Sequence, residues 1–142
     1  MRFSAFALSI LALAAIFFAS SPRAQESVFE LELSNVKQVQ SGCRVAFLAV
    51  NRLGIQLDKM AVEIGVFDEN GLFSDMVVFD FGRLQKGKSK VVQYDLPRQC
   101  ATISRLLLNS VKECAGAKDM RQECEDRIQT RGNSKLNIAF GQ

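Results

Sequence analysis

From Phe29 onward the chain alternates. Phe29, Leu31 and Leu33 stand between Glu30, Glu32 and Ser34, the period of two that puts one strand face in a core and the other in water. After a Ser41-Gly42 turn, Val45, Phe47 and Ala49 interleave with Ala46, Leu48 and Val50. A strand apolar on both faces reads as central and covered. Asn51-Arg52-Leu53-Gly54 makes the next break. Met60, Val62, Ile64 and Val66 then alternate up to Asp68-Glu69-Asn70-Gly71. Asn-Gly suits a two-residue type I′ hairpin loop. That loop sets Glu69 opposite Leu72, Ile64 opposite Val77, Val62 opposite Phe79 and Met60 opposite Phe81. One hairpin face then holds Met60, Val62, Ile64, Val66, Val77, Phe79 and Phe81. The other holds Glu63, Phe67, Met76, Val78 and Asp80. A slip of one residue would mix the two sets.

Gly82 to Lys90 reads as a turn region with Lys86-Gly87-Lys88 at its tip. Val91, Val92 and Tyr94 resume a strand that Pro97 stops. Ile103 to Val111 reads as helix or strand, and its β-branched ends and Leu106-Leu107-Leu108 fit a buried strand better. Ala115 to Gly132 is charged and rich in small residues. Met120, Cys124 and Ile128 recur every four residues there, and Glu123 and Arg127 form a favourable i,i+4 pair. This segment reads as a short helix or an ordered loop. Leu136, Ile138 and Phe140 alternate as a closing strand. About seven strands with turns every eight to twelve residues predict an all-β fold, an immunoglobulin-like β-sandwich.

The N-terminus has a different pattern. Arg2 precedes an apolar run from Phe3 to Ala19, which Ser20, Ser21, Pro22, Arg23 and Ala24 end. Charge, apolar core and small-residue exit form the order of a signal peptide. Residues 1–24 are therefore expected to be removed after export, leaving residues 25–142 as one domain in the periplasm or outside the cell. The competing expectation is an uncleaved leader that holds a structural protein at the membrane, although the run is short for a spanning helix. There is no Arg-Arg pair for a twin-arginine route. The chain carries 18 basic and 15 acidic residues, and losing Arg2 and Arg23 leaves 16 against 15, a net +1. That balance argues against a nucleic-acid partner. Histidine is absent, which removes imidazole bases, histidine metal sites and Ser-His or Cys-His nucleophile pairs. No cofactor is expected.

Cys43, Cys100, Cys114 and Cys124 are an even set in a chain expected to be exported, the setting in which cysteines oxidise. Three pairings are open. The favoured one joins Cys43 to Cys100, tying distant strands, and Cys114 to Cys124, holding down the charged segment. No C-x-x-C is present for redox catalysis, and no short C-x₂₋₄-C spacing is present for zinc.

Other motifs have bland explanations. Asp80-Phe81-Gly82 matches the magnesium-binding triplet of protein kinases, but no His-Arg-Asp or Gly-rich phosphate loop accompanies it. Asp68, Glu69 and Asn70 depart from the EF-hand pattern after Gly71. Glu63 and Asp80 are diagonal on one hairpin face, where paired carboxylates can do acid–base chemistry or simply meet basic neighbours. Arg83, Lys86, Lys88 and Lys90 form a basic stripe that suits an acidic partner, a membrane phosphate, or a solvated turn whose charges discourage edge-to-edge aggregation. Phe67, Met76 and Val78 lie on the more polar hairpin face, and their exposure would mark a partner surface.

An ordered series now stands out: Cys43-Arg44-Val45-Ala46-Phe47, Asn51, Glu63 with Phe67-Asp68, Phe79-Asp80-Phe81-Gly82, Gln93-Tyr94-Asp95-Leu96, and Cys100 through Leu107-Leu108-Asn109 to Cys114. It resembles a family of small exported alphaproteobacterial proteins often labelled "Tat pathway signal sequence domain" proteins. Residues 43 to 96 are more loosely similar to FxLYD-type sandwich domains of the bacterial envelope. The resemblance implies export and a sandwich and brings no catalytic residues. The expected function is a non-catalytic periplasmic binding or envelope-assembly module with an envelope protein as partner. An enzyme or enzyme inhibitor using Glu63 and Asp80 is the alternative.

Overall fold

The computed structural model describes residues 26–142, so the expected leader lies outside the described residues. Its elements are β1 (Phe29–Val39), β2 (Gly42–Asn51), β3 (Lys59–Asp68), β4 (Phe73–Asp80), β5 (Ser89–Leu96), a 3₁₀ turn at Cys100–Thr102, β6 (Ile103–Ala115), α1 (Arg121–Arg127), β7 (Ile128–Arg131) and β8 (Ala139–Gly141). The strands form two four-stranded sheets, ordered β5-β2-β1-β7 and β4-β3-β6-β8. The fold is therefore all-β and sandwich-like, as the alternation implied.

The alternating apolar residues supply the layer between the sheets. Phe29, Leu31, Leu33, Val45, Phe47 and Ala49 from one sheet meet Val62, Ile64, Val66, Phe79, Phe81 and Leu106 from the other, all buried. The Phe47 ring is central, with Phe79, Phe81 and Phe140 edge-on at 5.3, 6.3 and 5.2 Å. Edge-to-face packing brings the positive rim of one ring to the negative face of another.

The β3–β4 register matches the sequence reading. Val62 pairs with Phe79 and Ile64 with Val77. The loop does not match. Asp68 N–H bonds the Leu72 carbonyl, and Gly71 N–H bonds the Asp68 carbonyl. Within this loop only Gly71 has positive φ, at 78°, and no non-glycine residue among the described ones does. The connection is therefore a three-residue loop in which Gly71 takes the left-handed position that a type I turn needs before its strand. The extra loop residue is cancelled one step later. Phe67 pairs with Phe73 but Val66 pairs with Asp75, leaving Ser74 as a bulge. The core demands that Val62 and Ile64 stay inside, and loop and bulge adjust to that demand.

The C-terminal third adds an eighth strand. Residues Ile128–Arg131 pair in parallel with β1, and Ala139–Gly141 pair in parallel with β6. The expected closing strand is reduced to three residues, with Leu136 and Ile138 in the loop before it. The short helix is present and is fastened to β6. Glu125 Oε2 accepts from the Val111 N–H at 2.6 Å, and Cys124 is bonded to Cys114.

Cys43 is bonded to Cys100 across a sequence separation of 57. Cys43 stands opposite Leu96 on the neighbouring strand β5. The bridge therefore does not tie distant strands. It staples the crossover between the sheets to the sheet that the chain is leaving. Gly42 is required beside it, because a Cβ there would lie 2.0 Å from the Leu96 carbonyl oxygen.

Candidate functional site

The outer face of β4, β3 and β6 carries the residues singled out from sequence. Val78 and Met76 are 50% and 39% exposed, and Phe73 and Leu72 extend the patch at 58% and 64%. Phe67 and Leu107 are half-buried beside them. Gly65 makes the patch possible. The Phe67 and Phe73 rings lean over its bare backbone, each within 4 Å of where a Cβ would stand, and meet edge-on at 6.0 Å. The Arg105 guanidinium sits 4.1 Å above the Phe67 ring, a cation–π contact that leaves its N–H groups in water. Arg105 makes no ion pair among the described residues.

Glu63 and Asp80 share this face but do not form a site. Glu63 Oε1 accepts from Asn109 Nδ2 at 2.7 Å and Ser110 Oγ at 3.4 Å, and Oε2 pairs with Lys112 Nζ at 3.3 Å. The Asn109 bond, with help from Lys112, lowers the Glu63 pKa from its ordinary value. Asp80 Oδ1 instead accepts the Gly82 N–H at 2.7 Å and closes a turn. Among the described residues no group of three or more Cys, Asp or Glu could hold a metal ion.

β4 and β5 are edge strands on the same side of the sandwich. Tyr94 of β5 donates its hydroxyl to the Asp80 carbonyl, and its ring lies 4.6 Å from Phe79. Burial raises the Tyr94 pKa. Lys90 Nζ donates to the Phe81 carbonyl at 2.7 Å. Of the rest of the basic stripe, Arg83 pairs with Asp58 at 3.1 Å, while Lys86 and Lys88 are exposed and unpaired among the described residues.

Sequence reasoning missed how the loops at one end are held. Asn51, read from its position as a strand break, is the one buried polar residue among the described residues. Its Nδ2 donates to the carbonyls of Ile55 at 2.8 Å and Leu84 at 3.1 Å. Its Oδ1 accepts from the Leu53 N–H at 3.1 Å. Its backbone N–H and carbonyl bond Lys88 and Gly87. The side chain thus ties the β2–β3 loop to the β4–β5 turn, while the Asn51 backbone holds the turn that carries Lys86 and Lys88. Beside it lies a cleft of about 850 Å³ lined by Ile55, Gln56, Asp58, Lys86, Lys118 and Met120. Comparison with protein-family models, curated proteins and solved structures finds no match to this chain.

Proposed function

We propose that the protein is an exported, non-catalytic sandwich that docks an envelope protein on the outer face of β4, β3 and β6. The observation that carries this reading is the contiguous exposure of Phe73, Met76 and Val78 around half-buried Phe67 and Leu107. An apolar patch of this kind is costly to leave in water and is characteristic of a partner surface. Arg105, stacked on Phe67 at one end of the patch, supplies a guanidinium for a partner carboxylate, an anchor type enriched at interface hot spots.

Two features favour docking over chemistry. Glu63 is held ionised by an amide, a hydroxyl and an ammonium, whereas a general acid or base works best with a pKa near the operating pH. Asp80 is occupied in a turn. The two disulfides suit an oxidising compartment, in keeping with export.

Val78→Glu tests the reading, because it places a charge on the patch without entering the core. A photo-crosslinking residue at Phe73, expressed in cells, is expected to give one discrete adduct that Val78→Glu abolishes. Val78 stands directly opposite Glu63, so the like charges should lower stability by up to about 1 kcal/mol, too little to unfold the domain. An adduct pattern indifferent to Val78→Glu would refute docking through this face.

A further inference from the structure

The two edge strands are finished differently, and the difference points to a second interaction surface. On β4, Phe81 N–H bonds the Met60 carbonyl. With the observed register, Phe79 and Val77 aim their backbone groups at β3, while Met76, Val78 and Asp80 aim theirs at the open edge. That edge is largely stopped by the protein's own side chains. Asp75 Oδ1 accepts the Met76 N–H at 2.8 Å, and the Tyr94 hydroxyl takes the Asp80 carbonyl. The Ser74 bulge ends the ladder.

On β5, Asn51 N–H bonds the Lys88 carbonyl. The register then leaves the backbone groups of Ser89, Val91, Gln93 and Asp95 facing away from β2. These groups have no partner among the described residues. The four residues are exposed. Lys90, Val92 and Tyr94 alternate with them and face the sandwich interior side. Lys88 continues that row by the same period, before the strand begins.

We propose that β5 accepts an added antiparallel strand from an extended peptide segment with acidic residues at its C-terminal end. Strand addition gives affinity through main-chain bonds and specificity through alternate side chains. Charge complementarity sets the occupant. Residues opposite Lys88 and Lys90 fall in non-hydrogen-bonded pairs, where side chains approach most closely, and opposite charges there are favourable. Lys90 spends one donor on Phe81, leaving two of an ammonium's three for a carboxylate. Opposite Val92 and Tyr94, both partly buried, the fit is apolar. The recognised pattern is apolar-x-apolar-x-acid-x-acid. An inward-facing lysine on an edge also repels neutral apolar strands, so the group that prevents aggregation is the group that reads the acid.

This surface is separate from the apolar face and does not depend on it. The test uses the disulfide-bonded protein and a labelled seven-residue peptide of alternating valine and threonine ending in the two glutamates, with a lysine-for-glutamate control, read by anisotropy. The acidic peptide should bind and the basic one should not. Val91→Pro removes only an outward N–H, leaves the β2–β5 ladder intact, and should weaken binding by about tenfold or more. Lys88→Glu with Lys90→Glu should reverse the preference to the basic peptide, and it decides the matter if Val91→Pro does not fold. Equal binding of both peptides, or indifference to both variants, would overturn the proposal. So would dimerisation without peptide that Val91→Pro abolishes, which would assign the edge to a second copy.

Discussion

Replacing Asn51 by leucine isolates the hydrogen bonds that organise the loop end. The side chain is fully buried, and leucine matches its size. Two groups lose their partner outright. The Ile55 carbonyl loses Nδ2, and the Leu53 N–H loses Oδ1. The Leu84 carbonyl keeps a second donor in the Leu57 N–H. Each orphaned buried group costs about 1–1.5 kcal/mol after the gain from leucine's apolar surface is allowed for, so the expected loss is about 2–3 kcal/mol. For a domain of this size that is a fall in melting temperature of about 10 °C. Asn51→Asp should cost more. It keeps the acceptor for Leu53 but buries a carboxylate against carbonyl oxygens. Urea unfolding read by circular dichroism tests the order, since a midpoint shift at constant slope reports stability alone. A leucine variant as stable as the parent, or an aspartate variant more stable than the leucine one, would refute the view that these bonds hold the loops.

Three further outcomes are expected. By loop entropy, Cys114→Ser with Cys124→Ser should lose about 3 kcal/mol and Cys43→Ser with Cys100→Ser about 4 kcal/mol; non-reducing peptide mapping of the parent should show the same two pairs. Arg44 and Ser41 bind the Asp95 carboxylate and hold its pKa down to about 2. The unfolded carboxylate titrates near 4, so this contribution is complete above about pH 4 and is lost as the pH falls towards 2. Asp95→Asn should therefore flatten the acid limb of melting temperature against pH. Intact mass of protein recovered from the periplasm should lack about 24 residues, whereas a full-length mass would support the membrane-held alternative.

The parts legible in the sequence are those where burial alternates. Val62, Ile64, Val77 and Phe79 must face inward, so the β3–β4 register could be counted out despite a wrong loop type. The exposed patch was legible for the complementary reason, as apolar residues fell on the face that also carries Glu63 and Asp80. What failed lacked a period. β7 buries only Ile128 of its four residues, and β8 only Phe140 of its three, too few positions for alternation to register. The loop end was invisible because a buried asparagine looks like a turn asparagine until its carbonyl partners, four and 33 residues away, are brought to it. The Cys43–Cys100 pair was anticipated. Its role was not, because adjacency of β2 and β5 is a property of the sheet order.

The contrast between the two edges follows from what lies beside each. An open edge next to exposed Phe73, Met76 and Val78 would present unpaired backbone and apolar side chains together, the combination that templates aggregation. β4 is the edge that Asp75, Tyr94 and the Ser74 bulge close. Its apolar face can then remain exposed with little risk that a foreign strand will zip along it. β5 has Ser89, Gln93 and Asp95 on its outer face, with Val91 the one exposed apolar residue there, so leaving its edge open costs less. A lysine at Lys90 is enough to turn away apolar strands. If this division holds, the two surfaces act through different groups: side chains alone on the β4 face, and main chain with lysines on the β5 edge. Val78→Glu and Val91→Pro share no partner, so each should impair one interaction and leave the other unchanged.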